Sequence, residues 1–161
     1  MTRRALSERN REVNSMEKLI GMYAPHAYAL MRIIVGLLFI CHGLQKVFGM
    51  IGGMRGGPVL LLSLFGVAGM IEIIGGAFIT LGLFAGYVAF IASGEMAVAY
   101  FIGHFPQGFW PIQNGGELAV LNCFIFLYMA TRGSGIWSLD AVLNSDPRRS
   151  SSGGFEWQSA K

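Results

Sequence analysis

Charge is what the middle of this sequence lacks. Lys, Arg, Asp and Glu together make up 13% of the 161 residues, against 53% hydrophobic ones. The charges gather at the two ends and in the loops. A soluble helical domain shows a polar face along every helix, whereas the long stretches here are apolar on all sides. That excludes an ordinary soluble domain and points to a single membrane-embedded unit. Cysteine is nearly absent as well. Cys41 and Cys123 both lie in apolar stretches, without CxxC spacing or a histidine in metal-ligand register. No metal site is expected from them, and they read as small buried apolar residues. A redox pair stays open only if both sulfurs share a depth. The positive residues flank the apolar segments instead of forming a stripe, so the net charge of +3 gives no reason to expect a nucleic-acid partner. No axial histidine pair and no glycine-rich loop between a strand and a helix occurs, so no haem, flavin or nicotinamide cofactor is evident.

What is present divides into four apolar helices between polar tails. Residues 1–24 read as a cytoplasmic tail with no apolar core, not a cleavable signal peptide, and 16–23 as a stretch able to lie along a lipid surface. The first helix is expected over Ala27–Val47, behind the helix-starting Pro25, and a glycine-rich loop fills 49–58. The second is expected over Val59–Leu81, followed by a tight hairpin at 82–86. The third covers Tyr87–Gly103, and an aromatic and proline-rich loop follows at 105–111. The fourth, Glu117–Thr131, is short for a crossing. Gly133-Ser-Gly135 ends it, Trp137–Leu143 reads as an amphipathic turn of helix, and 144–161 as a disordered tail. The fold class expected is therefore an all-α membrane bundle of four spans over 25–143.

Orientation follows from Lys and Arg. Arg3, Arg4, Arg9, Arg11, Lys18, Arg132, Arg148, Arg149 and Lys161 lie at the termini, while the other pair of loops carries Lys46 and Arg55. The positive-inside rule then places both termini in the cytoplasm of a multi-pass protein. Tyr23, Tyr28, Tyr128 and Trp137 fall at the inner interface, and Tyr100, Phe109 and Trp110 at the outer one.

Three ionisable groups remain inside the apolar stretches: Arg32, Glu72 and Glu95. Ionised groups at such depth are costly and need a partner or a task. Gly69, Gly75 and Gly76 share a helix face with Glu72, and Ala92 and Ala99 share one with Glu95. Small residues mark packed helix faces, so both carboxylates are expected to point inward and line a buried pocket with Arg32. Arg32 is close enough to a helix end either to snorkel or to pair with a carboxylate. One arginine cannot neutralise two glutamates, so one carboxyl is expected to hold or share a proton. The bland alternative is a polar pin that fixes helix packing. His42, Lys46, His104 and Glu117 form a second group at the outer face, read as the rim of a polar cavity. Their lack of ligand spacing argues against a metal, and the helix dipole alone favours Glu117 at its position.

The motifs resemble a known family. Arg32-x3-Gly36-x2-Phe39-x2-His42-Gly43-x2-Lys46 is similar to the opening motif of the DoxX family of small bacterial membrane proteins, and Glu72-x2-Gly75-Gly76-x5-Gly82 to its second-helix motif. Gly115-Gly116-Glu117 and Gly133-x-Gly135-x-Trp137-Ser138-Leu139-Asp140 resemble its closing pattern, with Ser134 where proline is usual and a looser turn expected for that reason. The resemblance covers about 28–143. It implies a four-helix protein of the bacterial inner membrane. It also implies a link to redox systems, since the family takes its name from a subunit of a thiosulfate–quinone oxidoreductase and some members are tied to thiol-redox complexes.

Three functions follow as expectations. One is an oxidoreductase-associated subunit with a quinone or other small molecule in its intramembrane pocket. Another is a non-catalytic membrane partner or scaffold that docks redox-protein subunits or a second copy of itself. The third is a small transporter, disfavoured because four helices enclose little space without oligomerising.

Overall fold

The computed structural model describes residues 16–53 and 57–145. The expectations for 1–15 and for the tail beyond 145 lie outside the described residues. Residues 16–21 are helical and exposed, and six further helices follow. They are α1 (Ala24–Phe48), α2 (Leu64–Leu81), α3 (Ala85–Ala99), α4 (Pro111–Asn114), α5 (Glu117–Arg132) and α6 (Leu139–Asn144). Among the described residues there is no strand. Three helical segments among the described residues are long and apolar enough to cross a membrane, namely Ala24–Phe48, Leu64–Leu81 and Ala85–Gln107.

The helix limits depart from the sequence pattern where local chemistry intervenes. α1 starts at Ala24, so Pro25 sits inside the first turn, where its missing N–H costs nothing. α2 starts at Leu64 rather than Val59, because Ser63 caps it: its Oγ accepts from the Gly66 amide at 3.1 Å. α3 begins at Ala85, which shortens the expected hairpin. It continues past Ala99 through a π-helical turn at Tyr100–His104 and a 3₁₀ turn at Phe105–Gln107. The expected loop at 105–111 is thus partly helical. Ser138 caps α6 by accepting from Ala141 N at 3.1 Å, and α5 lies within a residue of its expected span.

The bundle is built from two tight pairs, α1 with α2 and α3 with α5, while α2 and α3 touch more sparsely. Glycine sets the first pair. A Cβ on Gly43 would lie 2.5 Å from the Gly69 carbonyl oxygen, and one on Gly76 would lie 2.7 Å from that of Gly36. The two backbones therefore meet along matching seven-residue spacings, in the way small residues permit in membranes. In the second pair Ala85, Ala89 and Ala92 are buried, and the Ser93 hydroxyl donates to the Cys123 carbonyl at 2.8 Å. Phe39 and Phe126 join the pairs at the centre, with ring centroids 4.7 Å apart. The polarity of the molecule is inverted: Arg32 and Glu72 are buried while Leu62, Tyr87, Phe90 and many other large apolar side chains face outward. Such a surface suits lipid and not water.

Candidate functional site

Two ends of the bundle are distinguished by their polar chemistry. One carries the turn 82–84, the segment 133–138 and α6. Arg32 lies there, with no exposed surface. Its Nη1 donates to the carbonyls of Ile79 at 2.5 Å and Thr80 at 2.7 Å, and its Nη2 to that of Trp137 at 2.7 Å. These carbonyls end α2 and precede α6, so Arg32 satisfies a helix C-terminus and fastens the chain that follows α5. The pairing of Arg32 with a glutamate expected from the sequence does not occur. Ile79 is seven residues from Glu72, or about 10 Å along a helix, and Arg32 also does not snorkel.

The rest of this end tightens around the same point. Asp140 N donates to the Gly82 carbonyl at 3.1 Å. Asp140 Oδ2 accepts from Phe84 N at 2.9 Å and from Ser134 Oγ at 2.5 Å. Gly82 adopts φ +68°, and a Cβ there would lie 2.4 Å from Ser138 Cβ. Ser134 does not loosen its turn, because its hydroxyl also accepts from Ala85 N at 3.3 Å. Tyr28 donates to the Gly133 carbonyl, and His26 meets Trp137 edge-on at 5.4 Å.

The opposite end holds the glutamates. Lys46 Nζ lies 2.7 Å from Glu72 Oε1, a salt bridge whose carboxylate partner is 2% exposed. Lys46, expected at an outer rim, instead reaches inward and takes the place assigned to Arg32. Among the described residues, Glu72 Oε2 and both carboxyl oxygens of Glu95 are buried here without a hydrogen-bond partner, as are Arg32 Nε and Thr80 Oγ1 at the other end.

Two spaces open beside these atoms. A cavity of about 250 Å³ among all four long helices is lined by His42, Lys46, Glu72, Met96, His104 and Asn122, with other residues. A groove of about 590 Å³ runs between α2 and α3, where those helices diverge. Glu95, Lys46 and His104 line it amid apolar side chains including Phe65, Ile71 and Val98. Lys46 and His104 belong to both walls. An apolar recess of about 380 Å³ between Ile74, Phe78 and Val88 continues the same side and shares Val67, Ile71 and Ile91 with the groove.

The closing loop holds His104 in place. Its Nδ1 lies 3.1 Å from the Asn114 carbonyl; a carbonyl only accepts, so Nδ1 carries the hydrogen and Nε2 is left as the free acceptor. Asn114 is buried, donates to the Gly108 carbonyl at 2.6 Å and accepts from Gly116 N at 2.8 Å. The π turn that places His104 is a distortion frequent at functional sites.

The structure therefore gathers Glu72, Glu95, His42, Lys46 and His104, and separates Arg32 and Glu117 from them. Glu117 is exposed at the head of α5, where the helix dipole favours it. Asn114 and Asn122 escaped notice, since a single asparagine in an apolar stretch carries no spacing signal. Cys41 and Cys123 are free and half-buried, with Cys123 Sγ 3.6 Å from Ser93 Oγ. Among the described residues no three His, Cys, Asp or Glu side chains come together as a metal site would need.

Comparison with known proteins agrees with the motifs. The DoxX family model matches residues 27–105, the stretch that contains Arg32, the glycine contacts, both glutamates and His104. An uncharacterized protein of Haemophilus influenzae is 44% identical over 137 residues, covering 80% of this chain and 96% of that protein. No solved structure matches. With its apolar surface, its spanning helices and these matches, the chain is a membrane protein and belongs to the DoxX family.

Proposed function

We propose that the protein is an accessory subunit of a redox system in the bacterial inner membrane, and that the groove between α2 and α3 receives the head of a quinone. The observation that carries this reading is Glu95. Its two buried oxygens lack partners at the polar end of an apolar groove, and a buried polar group left unmatched costs free energy unless something else meets it. The residues fit an amphiphilic ring. The Lys46 ammonium is a donor for a carbonyl oxygen, the Glu95 carboxyl an acceptor for a hydroxyl, and the apolar walls suit a hydrocarbon tail. A quinone supplies two-electron chemistry when bound; the chain's part is to hold the ring and to keep a proton at Glu95.

The same reading includes four crossings with both termini in the cytoplasm. α5 has 16 residues, about 24 Å of helix at 1.5 Å per residue, and the α4 turn and the segment after Gly133 extend it toward the length of a crossing. The exposed Phe105, Phe109 and Trp110 at one end, and Tyr23, Tyr128 and Trp137 at the other, support two interfacial belts.

Purification in mild detergent followed by extraction and chromatography of bound lipids tests the function. Quinone is expected at a substantial fraction of one per chain, falling several-fold in Glu95→Gln. No quinone in the parent would leave the scaffold reading. Impermeant labelling of single cysteines at Gln107, but not at Asn144, is expected in intact cells.

A further inference from the structure

The central cavity is a separate space from the groove and has a different character. All four long helices wall it, and its polar lining comes from His42 and Lys46 on α1, Glu72 on α2, His104 after α3 and Asn122 on α5. Glu72, which belongs to this lining, is almost wholly buried, and its Oε2 has no partner. A site with several polar groups and about 250 Å³ of room holds about eight waters at the liquid's ~30 Å³ each, and polar cavities of that kind are wet. At the loop end its wall is Gly115 and His104, and Gly115 is exposed. The side toward the groove is formed by Lys46, Ala99 and His104, which line both spaces.

We infer that this cavity is a hydrated proton chamber through which Glu95 exchanges its proton with the loop end of the bundle, past Lys46 and His104. Of the groups that face it, Lys46 and Glu72 neutralise each other, His42 and His104 are the remaining bases, Glu95 is the acid across the shared wall, and the polar contribution of α5 is the uncharged Asn122. A proton leaving the Glu95 carboxyl passes to chamber water and on to His104 Nε2 or Glu72 Oε2, neither of which has a hydrogen-bond partner among the described residues. The acceptor then releases it toward Gly115. No electron moves, and Glu95 is reprotonated by the reverse route or by the groove's occupant. Arg32 at the other end has no part in the path, because the core around Phe39 and Phe126 separates it from the cavity.

The inference rests on Glu95 as the acid of the proposed quinone site but not on the quinone. The test is hydrogen–deuterium exchange of the full-length protein in lipid nanodiscs, followed by infrared spectroscopy of the protonated carboxyl band that Glu95→Gln removes. Ala119→Leu fills the chamber and Asn122→Leu dries it at nearly constant volume, so either can serve if the other does not fold. Each is expected to slow exchange at least tenfold with an unchanged melting temperature. Leu121→Trp adds bulk on the outward side of α5, away from both spaces, and is expected to leave the rate at the parent value. The chamber is overturned if both chamber variants exchange as fast as the parent, if Leu121→Trp slows exchange as much as they do, or if no protonated carboxyl band is lost in Glu95→Gln. Quinone retained in chamber variants that exchange at the parent rate would keep the function and reject the chamber, whereas slowed exchange in a protein without quinone would do the reverse.

Discussion

The two ends of the bundle both bury charge, and they use it in opposite ways. At the end fastened by Arg32, three peptide carbonyls from two segments receive the guanidinium, and Asp140 accepts from Phe84 N and Ser134. At the other end a single ammonium meets one oxygen of one carboxylate, and three further carboxyl oxygens have no partner. A buried ion whose charge is met by several hydrogen bonds serves the fold, even though Arg32 Nε itself has no partner. One that is left short of partners beside open space is where a ligand or a proton has something to do. The contrast separates a fastening from a site without appeal to any relative.

Arg32→Gln should break the contrast most severely. It removes the donors that hold Ile79, Thr80 and Trp137 together, and hydrogen bonds to charged groups are worth about 1.5–3 kcal/mol each. A loss of at least about 3 kcal/mol is expected, seen as a collapse of monodisperse protein on heating in detergent. Lys46→Met combined with Glu72→Gln should do less harm than Arg32→Gln, because removing both partners leaves no unpaired charge. Equal damage from the two would mean that the salt bridge is a second fastening.

The sequence left Arg32 either to snorkel or to pair with a carboxylate, and the partners it has were not legible there. Main-chain carbonyls at the end of α2 and before α6 have no signature in side-chain spacing, so the nearest formal charges seemed the natural partners. Lys46 was misplaced for a related reason. Its position near the end of α1 suggests an interfacial residue, yet the approach of Gly43 to Gly69 brings the Lys46 Cβ within 3.2 Å of where a Gly69 Cβ would stand. At that separation a long side chain reaches inward to Glu72, one turn further along α2. What the sequence did carry was the packed face: Gly69 and Gly76 touch α1, and Gly75 sits near Val88 and Phe39. The gathering of His42 and His104 with the glutamates depends on the π turn and on Asn114, neither of which has a periodic pattern to announce it.

Glycine contacts sharpen the comparison at the next size of effect. Gly43→Val should cost about 1–3 kcal/mol, the usual range for overpacking a tight contact, since even a Cβ meets backbone atoms within 3 Å. Gly75→Ala should be tolerated, because its nearest neighbour, Val88 Cγ1, lies at an ordinary 3.4 Å. Thermal melts of the two variants give the test, and similar losses in both would mean that α3 packs on α2 more tightly than the groove between them implies. Asp140→Asn should cost about 1 kcal/mol. The amide oxygen can still accept from Phe84 N or Ser134, but the charge that strengthens both bonds is gone.

Glu95→Gln should have the smallest effect on stability and the largest on function. If the Glu95 carboxyl is protonated in the folded protein, the amide replaces a neutral group of the same shape, and the melting temperature should move by no more than about 1 kcal/mol would produce. If it is ionised, a buried charge facing no cation of its own disappears, and the variant should be clearly more stable than the parent. A large gain would therefore remove the proton-holding role and leave Glu95 as a bare anion awaiting a cationic ligand. A clear loss would show that its oxygens have partners in the membrane, and Glu95 would then join Arg32 among the fastenings. Unchanged stability together with loss of co-purified quinone is the expected pair of results, because only a group that contributes little to the fold is free to serve a ligand.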